Sequence, residues 1–364
     1  MRSLVFIALQ LSQPRCIKRI ETMINAGVKV KVYGFDSGLY NDSLKNLSFP
    51  VEKIIKRDKT SGRIKKICFF VQCIRKILKE NSANDVFYLF GYEIASIAWL
   101  LRCKEFIYEE ADVTAARTHC RLIRFVLLAI DRRIIKKSKL TVFTSQGFSD
   151  FLFKKKPENV IIQPNKLSPF FGKIERENVL APTTDASHIK FGFVGLIRYP
   201  DTLIRFAKAV GQYFPQHEFH FYGALEKKDY WDEEITTYEN IYSHGSFVYP
   251  NELQNIYKNI DICVVCYDTH SGNVRIAEPN KLYEAIFFKV PLVVSSSTFL
   301  AKRVKELGVG FDIDASSDEC ICKFIKEINI GKLEQVRQSM NNIPTKDLID
   351  NSLLLVEKIT DILH

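Results

Sequence analysis

Residues 278–295 read Glu278-Pro-Asn-Lys-Leu-Tyr-Glu284-Ala-Ile-Phe-Phe-Lys-Val-Pro-Leu-Val-Val-Ser295, and they lead a helix straight into a buried strand. Pro279 suits the first turn of a helix, where its missing N–H costs nothing. Beyond Lys289, the residues Val290, Leu292, Val293 and Val294 lack the alternation of a strand with one wet face. A strand apolar on both sides belongs in a parallel sheet covered by helices. A helix starting at Pro279 points free N–H groups and the positive end of its dipole outward. Lys281 adds a cation there, and Glu284 offers paired oxygens about one and a half turns on. Phosphate at the helix start and ribose at the carboxylate is what a nucleoside diphosphate requires. Spacing alone equally allows a capped helix with a solvated Lys and Glu.

The same alternation extends in both directions. In the first half, strands are expected at residues 4–9, 28–34, 85–89, 105–108 and 140–144, with helices at 14–26, 93–101, 121–137 and 147–153. Strand–helix alternation implies a parallel sheet with right-handed crossovers. Residues 167–187 lose the pattern, carry Pro169, Pro182 and a Thr-Thr-Asp-Ala-Ser run, and read as a linker. A second alternation follows, with strands at 189–194, 218–222, 241–244, 262–266 and 292–295 and helices at 201–213, 251–259 and 279–288. The chain therefore reads as α/β, with two Rossmann-like domains: residues 1–166, joined by a tail helix within 347–364 that crosses back, and residues 188–346. A length of 364 residues fits two domains at ~150 residues each. Two such units in series place the default ligand site in the crevice between them, at the carboxyl ends of the strands.

Composition narrows the class further. No apolar run reaches the ~18 residues needed to span a bilayer, and the apolar start has no secretory cleavage site. The nine cysteines are scattered through apolar segments. Cys263 and Cys266 form a CxxC inside an expected buried strand, with no second pair to complete a metal site. Reduced cytosolic thiols are the expectation. The net charge of +10 is unevenly spread: residues 1–170 carry 31 Lys and Arg against 15 Asp and Glu, a net of +16, whereas residues 171–364 carry 21 against 27, a net of −6. The first half is built to meet an anion such as phospholipid, a lipid pyrophosphate or nucleic acid.

Residues 278–295 resemble the Pro-Asn-Lys-x-[Phe/Tyr]-Glu…Lys-x-Pro-x-[Val/Ile] signature of bacterial polysaccharide glycosyltransferases with the GT-B fold, which are similar to glycosyltransferase family 4. Other pieces fit in order: Gln13-Pro-Arg-Cys-Ile-Lys-Arg19 resembles the entry to the first helix, and Phe106-Ile-Tyr-Glu-Glu-Ala-Asp112 an acceptor-side strand and loop. Ile162-Gln-Pro-Asn165 resembles the close of the amino-terminal domain, and Phe191-Gly-Phe-Val-Gly-Leu-Ile-Arg198 the opening of the donor domain. The resemblance implies two facing domains, a nucleotide-sugar donor, a saccharide acceptor, retention of configuration and no metal cofactor. It departs from the wider group at Ile276, where that group carries the first Glu of Glu-x7-Glu, and at Leu196 and Pro200, where it carries cations. Arg198, Arg275 and Lys281 are the substitutes for the pyrophosphate, with Gly195, Glu278, Asn280 and Glu284 completing the donor set. His244 resembles the loop that holds the nucleobase, although a plain turn explains it equally well.

Asp312-Ile-Asp314 mimics an Asp-x-Asp metal motif but reads as a loop far from any nucleotide signal. In the basic half, Glu93, Glu109, Glu110 and Asp112 are expected on two loops. Asp112 and Glu110 are the catalytic candidates for acceptor binding or general-base work; pairing with Arg102 and Arg117 is the plain alternative. The helix over residues 63–79 carries Lys65, Lys66, Arg75 and Lys76 beside Phe69 and Phe70, and residues 121–139 carry seven more Lys or Arg. Such helices suit an anionic bilayer. The expected setting is the cytoplasm, peripheral on the inner face of the cytoplasmic membrane, with a polyprenyl-pyrophosphate-linked acceptor. Two rivals are a sugar-nucleotide epimerase of the same fold, which needs no basic half, and a nucleic-acid-binding module, which lacks a binding motif and leaves the 278–284 segment unexplained.

Overall fold

The computed structural model describes residues 2–364 except 12, 37–46, 57–61, 177, 178, 180, 182–184, 198, 199 and 225–236. It separates into two compact units, one of residues 1–165 with 351–364 and one of residues 166–350.

The first unit runs β1 (Leu4–Ala8), α1 (Pro14–Asn25), β2 (Val30–Asp36), β3 (Lys53–Lys56), α2 (Arg63–Glu80), β4 (Val86–Phe90), α3 (Tyr92–Leu100), β5 (Phe106–Glu110), α4 (Arg121–Lys137), β6 (Leu140–Phe143), α5 (Gln146–Leu152) and β7 (Val160–Ile162). Its seven strands lie in the order β3-β2-β1-β4-β5-β6-β7, every neighbouring pair parallel. The apolar side chains of β1 and β4 are buried on both faces, as their unbroken apolar sequences require. Helix α1 turns Cys16, Ile20 and Met23 onto the sheet and ends at Gly27, whose φ of +78° stops it. Against the same cluster packs the last helix of the chain, Leu353–Leu363, through Leu355, Ile359 and Leu363.

The second unit runs β8 (Lys190–Val194), α6 (Pro200–Tyr213), β9 (Glu218–Tyr222), β10 (Ile241–Gly245), α7 (Leu253–Lys258), β11 (Ile262–Val265), α8 (Gly272–Ile276), α9 (Lys281–Phe287), β12 (Leu292–Ser295), α10 (Phe299–Leu307), β13 (Gly310–Ile313), α11 (Asp318–Glu327), α12 (Ile330–Asn341) and α13 (Thr345–Leu348). The terminal helix of the first unit is then α14. The six parallel strands are ordered β10-β9-β8-β11-β12-β13. Strand residues alternate between the two faces: Leu292 and Val294 join the layer with α9 and α10, and Val293 the layer with α6 and α11. Both sheets thus place strand one beside strand four, the point where the order reverses and doubly wound folds bind ligands.

Several boundaries differ from the sequence reading. Residues 167–187, expected as a linker, contribute to the second core: Leu167, Phe171 and Val179 are buried there. Arg176 donates to the carbonyls of Ile286, Phe287, Met340 and Ile343, tying the segment to the ends of two helices. Glu109 and Glu110 lie inside β5 rather than on a loop, and Asp312 lies in edge strand β13. The helix expected from Pro279 begins two residues later, at Lys281.

Candidate functional site

The carboxyl ends of β8, β9 and β10 converge on three glycines with positive φ: Gly195 (+119°), Gly223 (+144°) and Gly245 (+71°). Gly195 N donates to Tyr222 O and Gly223 N to Gly245 O, each at 2.7 Å. A Cβ on Gly223 would stand 2.0 Å from Gly195 O, so the two turns can close only without side chains. Into this corner comes Lys281, the first residue of α9. Its Nζ lies 4.8 Å from the ring centroid of Phe193 and 5.8 Å from that of Tyr267, so the switch point between β8 and β11 is walled by aromatic faces around a cation. Burial alone pulls the Lys281 ammonium down, but the Tyr267 oxygen and Glu284 outweigh it, and the group stays protonated above its ordinary range.

One turn along α9, Glu284 is buried. Its Oε1 accepts from Asn280 Nδ2 at 2.5 Å and its Oε2 from Tyr257 OH at 3.0 Å. Burial raises its pKa, opposed by Lys281, Tyr257 and Asn280. A carboxylate has about four lone-pair positions, so two acceptor sites remain beyond these bonds. Gly195, Lys281, Asn280 and Glu284 therefore form one connected group.

The other donor candidates are engaged elsewhere. Glu278 is buried and accepts from Tyr283 OH, while Arg303 Nε of α10 lies 3.4 Å away, so it braces α9 against α10. Arg275 is exposed at the end of α8 and donates from Nε to Thr269 O at 2.6 Å. His244 stacks on Tyr222 at 4.2 Å and 7°, and its Nε2 lies 3.0 Å from His220 Nδ1; Glu218 meets the far nitrogen of His220 at 2.9 Å. It belongs to β10 rather than to a loop after it. Burial lowers the pKa of both imidazoles. Arg198 lies outside the described residues.

In the first unit, consecutive carboxylates of β5 point to opposite faces. Glu109 meets Arg19 of α1, with Nε at 3.1 Å and Nη2 at 3.3 Å, and accepts from Tyr88 OH. Glu110 faces α4, against Asp131 and Tyr108. Tyr108 OH donates to Asp131 at 3.3 Å. Burial, then the neighbouring Asp131, push the Glu110 pKa well up, and burial raises Asp131 to about 6. A fully buried acid beneath a helix cannot meet an acceptor, so Glu110 is removed from the catalytic candidates. Asp112 stands past the end of β5, half-exposed, with Arg117 Nη2 at 2.7 Å. Glu93, exposed on the first turn of α3, shares that edge of the sheet.

No protein-family model matches the sequence, and no curated protein matches it. Solved structures do match over the whole length. The Anabaena protein Alr3699/HepE, crystallised with UDP and glucose, superposes with a TM-score of 0.70 at 14% identity, covering 100% of this chain and 99% of its own. Sucrose-phosphate synthase from Thermosynechococcus elongatus gives 0.68 at 11%, covering 99% and 98%, and a glycosyltransferase from Rickettsia africae gives 0.64 at 12%, covering 100% and 98%. Full coverage of both chains, together with two parallel sheets of Rossmann order, decides the architecture. The chain has the GT-B fold.

Within this GT-B chain, sequence reasoning missed Tyr257, Tyr267 and Gly223. Gly223 had a signal: it follows a strand in the same way as Gly195. The tyrosines read as core aromatics, and only their neighbours in the fold reveal a use for their hydroxyls. Asp312 lies on an exposed edge, and Asp314 closes a turn onto Ser316 N and Oγ. No cluster of metal-ligating side chains occurs among the described residues. Of the proposed surface cations, Lys65, Arg75 and Lys76 are exposed and Lys66 is half-buried; Lys76 pairs with Glu80 at 3.7 Å. Phe70 turns inward onto Phe35 at 4.9 Å, with Phe69 against it, rather than toward solvent.

Proposed function

We propose that this GT-B protein is a glycosyltransferase whose second unit holds a nucleotide-sugar donor and which passes the sugar, with retention, to a polyprenyl-pyrophosphate-linked saccharide in surface polysaccharide assembly at the inner face of the cytoplasmic membrane. The observation that carries the reading is the Lys281 ammonium, held protonated at the switch point against two side-chain-free strand ends. A buried cation there is complementary to a diphosphate. Glu284, fixed by Tyr257 and Asn280, presents its remaining acceptor sites to ribose hydroxyls. The fold is one in which HepE binds UDP and glucose, and this supports the choice of donor.

In a retaining transfer the departing diphosphate itself accepts the proton of the acceptor hydroxyl as the new glycosidic bond forms. The protein then positions the groups and neutralises developing negative charge, the part given to Lys281. Asp112, at the ligand-binding edge of the first sheet, orients the acceptor hydroxyl. The net +16 of residues 1–170 faces the anionic carrier and headgroups, and Lys65, Lys66, Arg75 and Lys76 supply surface cations to that contact. Among the described residues no helix is long and apolar enough to cross a membrane.

Calorimetric titration with a panel of nucleotide sugars tests the donor assignment. Glu284→Ala raises the dissociation constant of the best ligand at least tenfold, about 1.4 kcal/mol. Unchanged affinity in the folded variant sinks the assignment.

A further inference from the structure

Helix α4 has two apolar faces where one would suffice. Its inner face is accounted for: Asp131 and Ile135 are buried against the sheet, and Arg124 closes the helix start by donating to Thr118 O at 2.7 and 3.2 Å. Its outer face is not. Leu122, Ile123, Phe125 and Val126 are 73%, 52%, 69% and 47% exposed. Spaced i, i+1, i+3 and i+4, they form one continuous surface over the first two turns. Toward the other end the outer positions become cationic, with Arg132, Arg133, Lys136 and Lys137 all solvent-facing or nearly so. The late cations complement the helix dipole. Among the described residues nothing covers the apolar tip.

Position gives the tip a purpose. Helix α4 follows β5 through the turn Thr114–Arg117, so its first residues lie at the carboxyl edge of the sheet, beside Asp112. The α2, α3 and α4 helices pack side by side, and among the described residues the layer also exposes Ile67 and Leu100. A second copy docking through the same face would bring another net +16 surface against this one and be repelled. An anionic bilayer attracts it. We propose that the first two turns of α4 insert into the headgroup region of an anionic membrane, with Leu122, Ile123, Phe125 and Val126 as the inserted side chains and the exposed cations of α4 and α2 on the lipid phosphates. A helix lying in the interface buries its apolar face about 5–10 Å into the headgroup and acyl boundary. The membrane-bound acceptor of the proposed function gives the insertion its use, and the assignment rests on that reading in this respect alone.

Two kinds of contact separate by salt, because charge attraction is screened within about 8 Å at physiological ionic strength and apolar burial is not. Co-sedimentation of the full chain is measured with vesicles of phosphatidylglycerol and phosphatidylcholine at 0.15 and 0.5 M salt, without donor or acceptor. The wild type binds the anionic vesicles and keeps a measurable fraction bound at 0.5 M. L122S/F125S, at exposed positions, lowers the partition coefficient at least tenfold, abolishes the salt-resistant fraction and leaves nucleotide-sugar affinity unchanged. In the F125W variant, brominated lipids quench fluorescence beyond the background of the native tryptophans. Vesicle binding equal in L122S/F125S and wild type overturns the insertion while leaving the donor assignment intact. A concentration-dependent dimer in light scattering that L122S/F125S dissociates, with no change in vesicle binding, overturns it in favour of a second copy.

Discussion

The Nζ of Lys281 stands where a side chain on Gly195 would have to go: a Cβ there would come within 2.9 Å of it. Gly195 therefore does two things, holding a φ of +119° that ends β8 and leaving room for the cation.

Gly195→Ala should separate these effects. A non-glycine residue held at such a φ costs about 1–3 kcal/mol, and that loss appears in denaturant unfolding. The flexible end of Lys281 can move aside, so the fold survives, but the ammonium is displaced from the switch point. Donor affinity should then fall at least tenfold in calorimetry. A destabilised variant with full donor affinity would show that Lys281 does not meet the diphosphate.

If Lys281 meets the donor diphosphate, as proposed, no divalent ion is needed there. Transferase activity should survive exhaustive treatment with EDTA, followed as release of nucleoside diphosphate. Activity lost to the chelator and restored by magnesium or manganese would instead require carboxylate ligands, with Asp312 and Asp314 the first to substitute.

The fold was legible because its strands are buried on both faces and therefore apolar without interruption, as in Leu4–Ala8 and Leu292–Ser295. Three strands escaped notice: Val160–Ile162 is only three residues long, and the other two break that rule. Lys53–Lys56 is an edge strand with a lysine at each end, and Gly310–Ile313 is an edge strand carrying Asp312. Adjacent glutamates 109 and 110 oppose strand propensity, and their local sequence argues for a loop. Their burial depends on Arg19, 90 residues earlier, and on Asp131, 21 residues later, partners that sequence proximity cannot supply. The Lys281–Glu284 group was more readable. Lys281 and Glu284 are separated by about one helical turn, so their joint placement follows from the helix itself, whereas Tyr257 and Gly223 enter through tertiary contact.

The Glu110–Asp131 pair gives stability an unusual pH dependence. Burial lifts Asp131 from 3.8 to about 6 in the folded state, and Glu110 rises in the same sense, chiefly by burial and then by the Asp131 charge. Both groups hold protons more tightly folded than unfolded. Through pH 4 to 6 the folded chain therefore binds more protons than the unfolded one, and stability falls as pH rises. Below that window the pair is neutral and carries no penalty. Above it, the cost of keeping Asp131 buried is fully present. Asp131→Asn keeps the shape and can still accept from Tyr108 OH, but it has no charge to desolvate. Relative to wild type, the variant should gain stability from pH 4 to 6 and at pH 7 be more stable by on the order of a few kcal/mol. Taking the difference between the two proteins in urea unfolding at each pH cancels the titration of all other groups. A difference that stays flat across this window, or grows toward acid, would mean that Asp131 is ionised in the folded chain and that the pair does not share a proton.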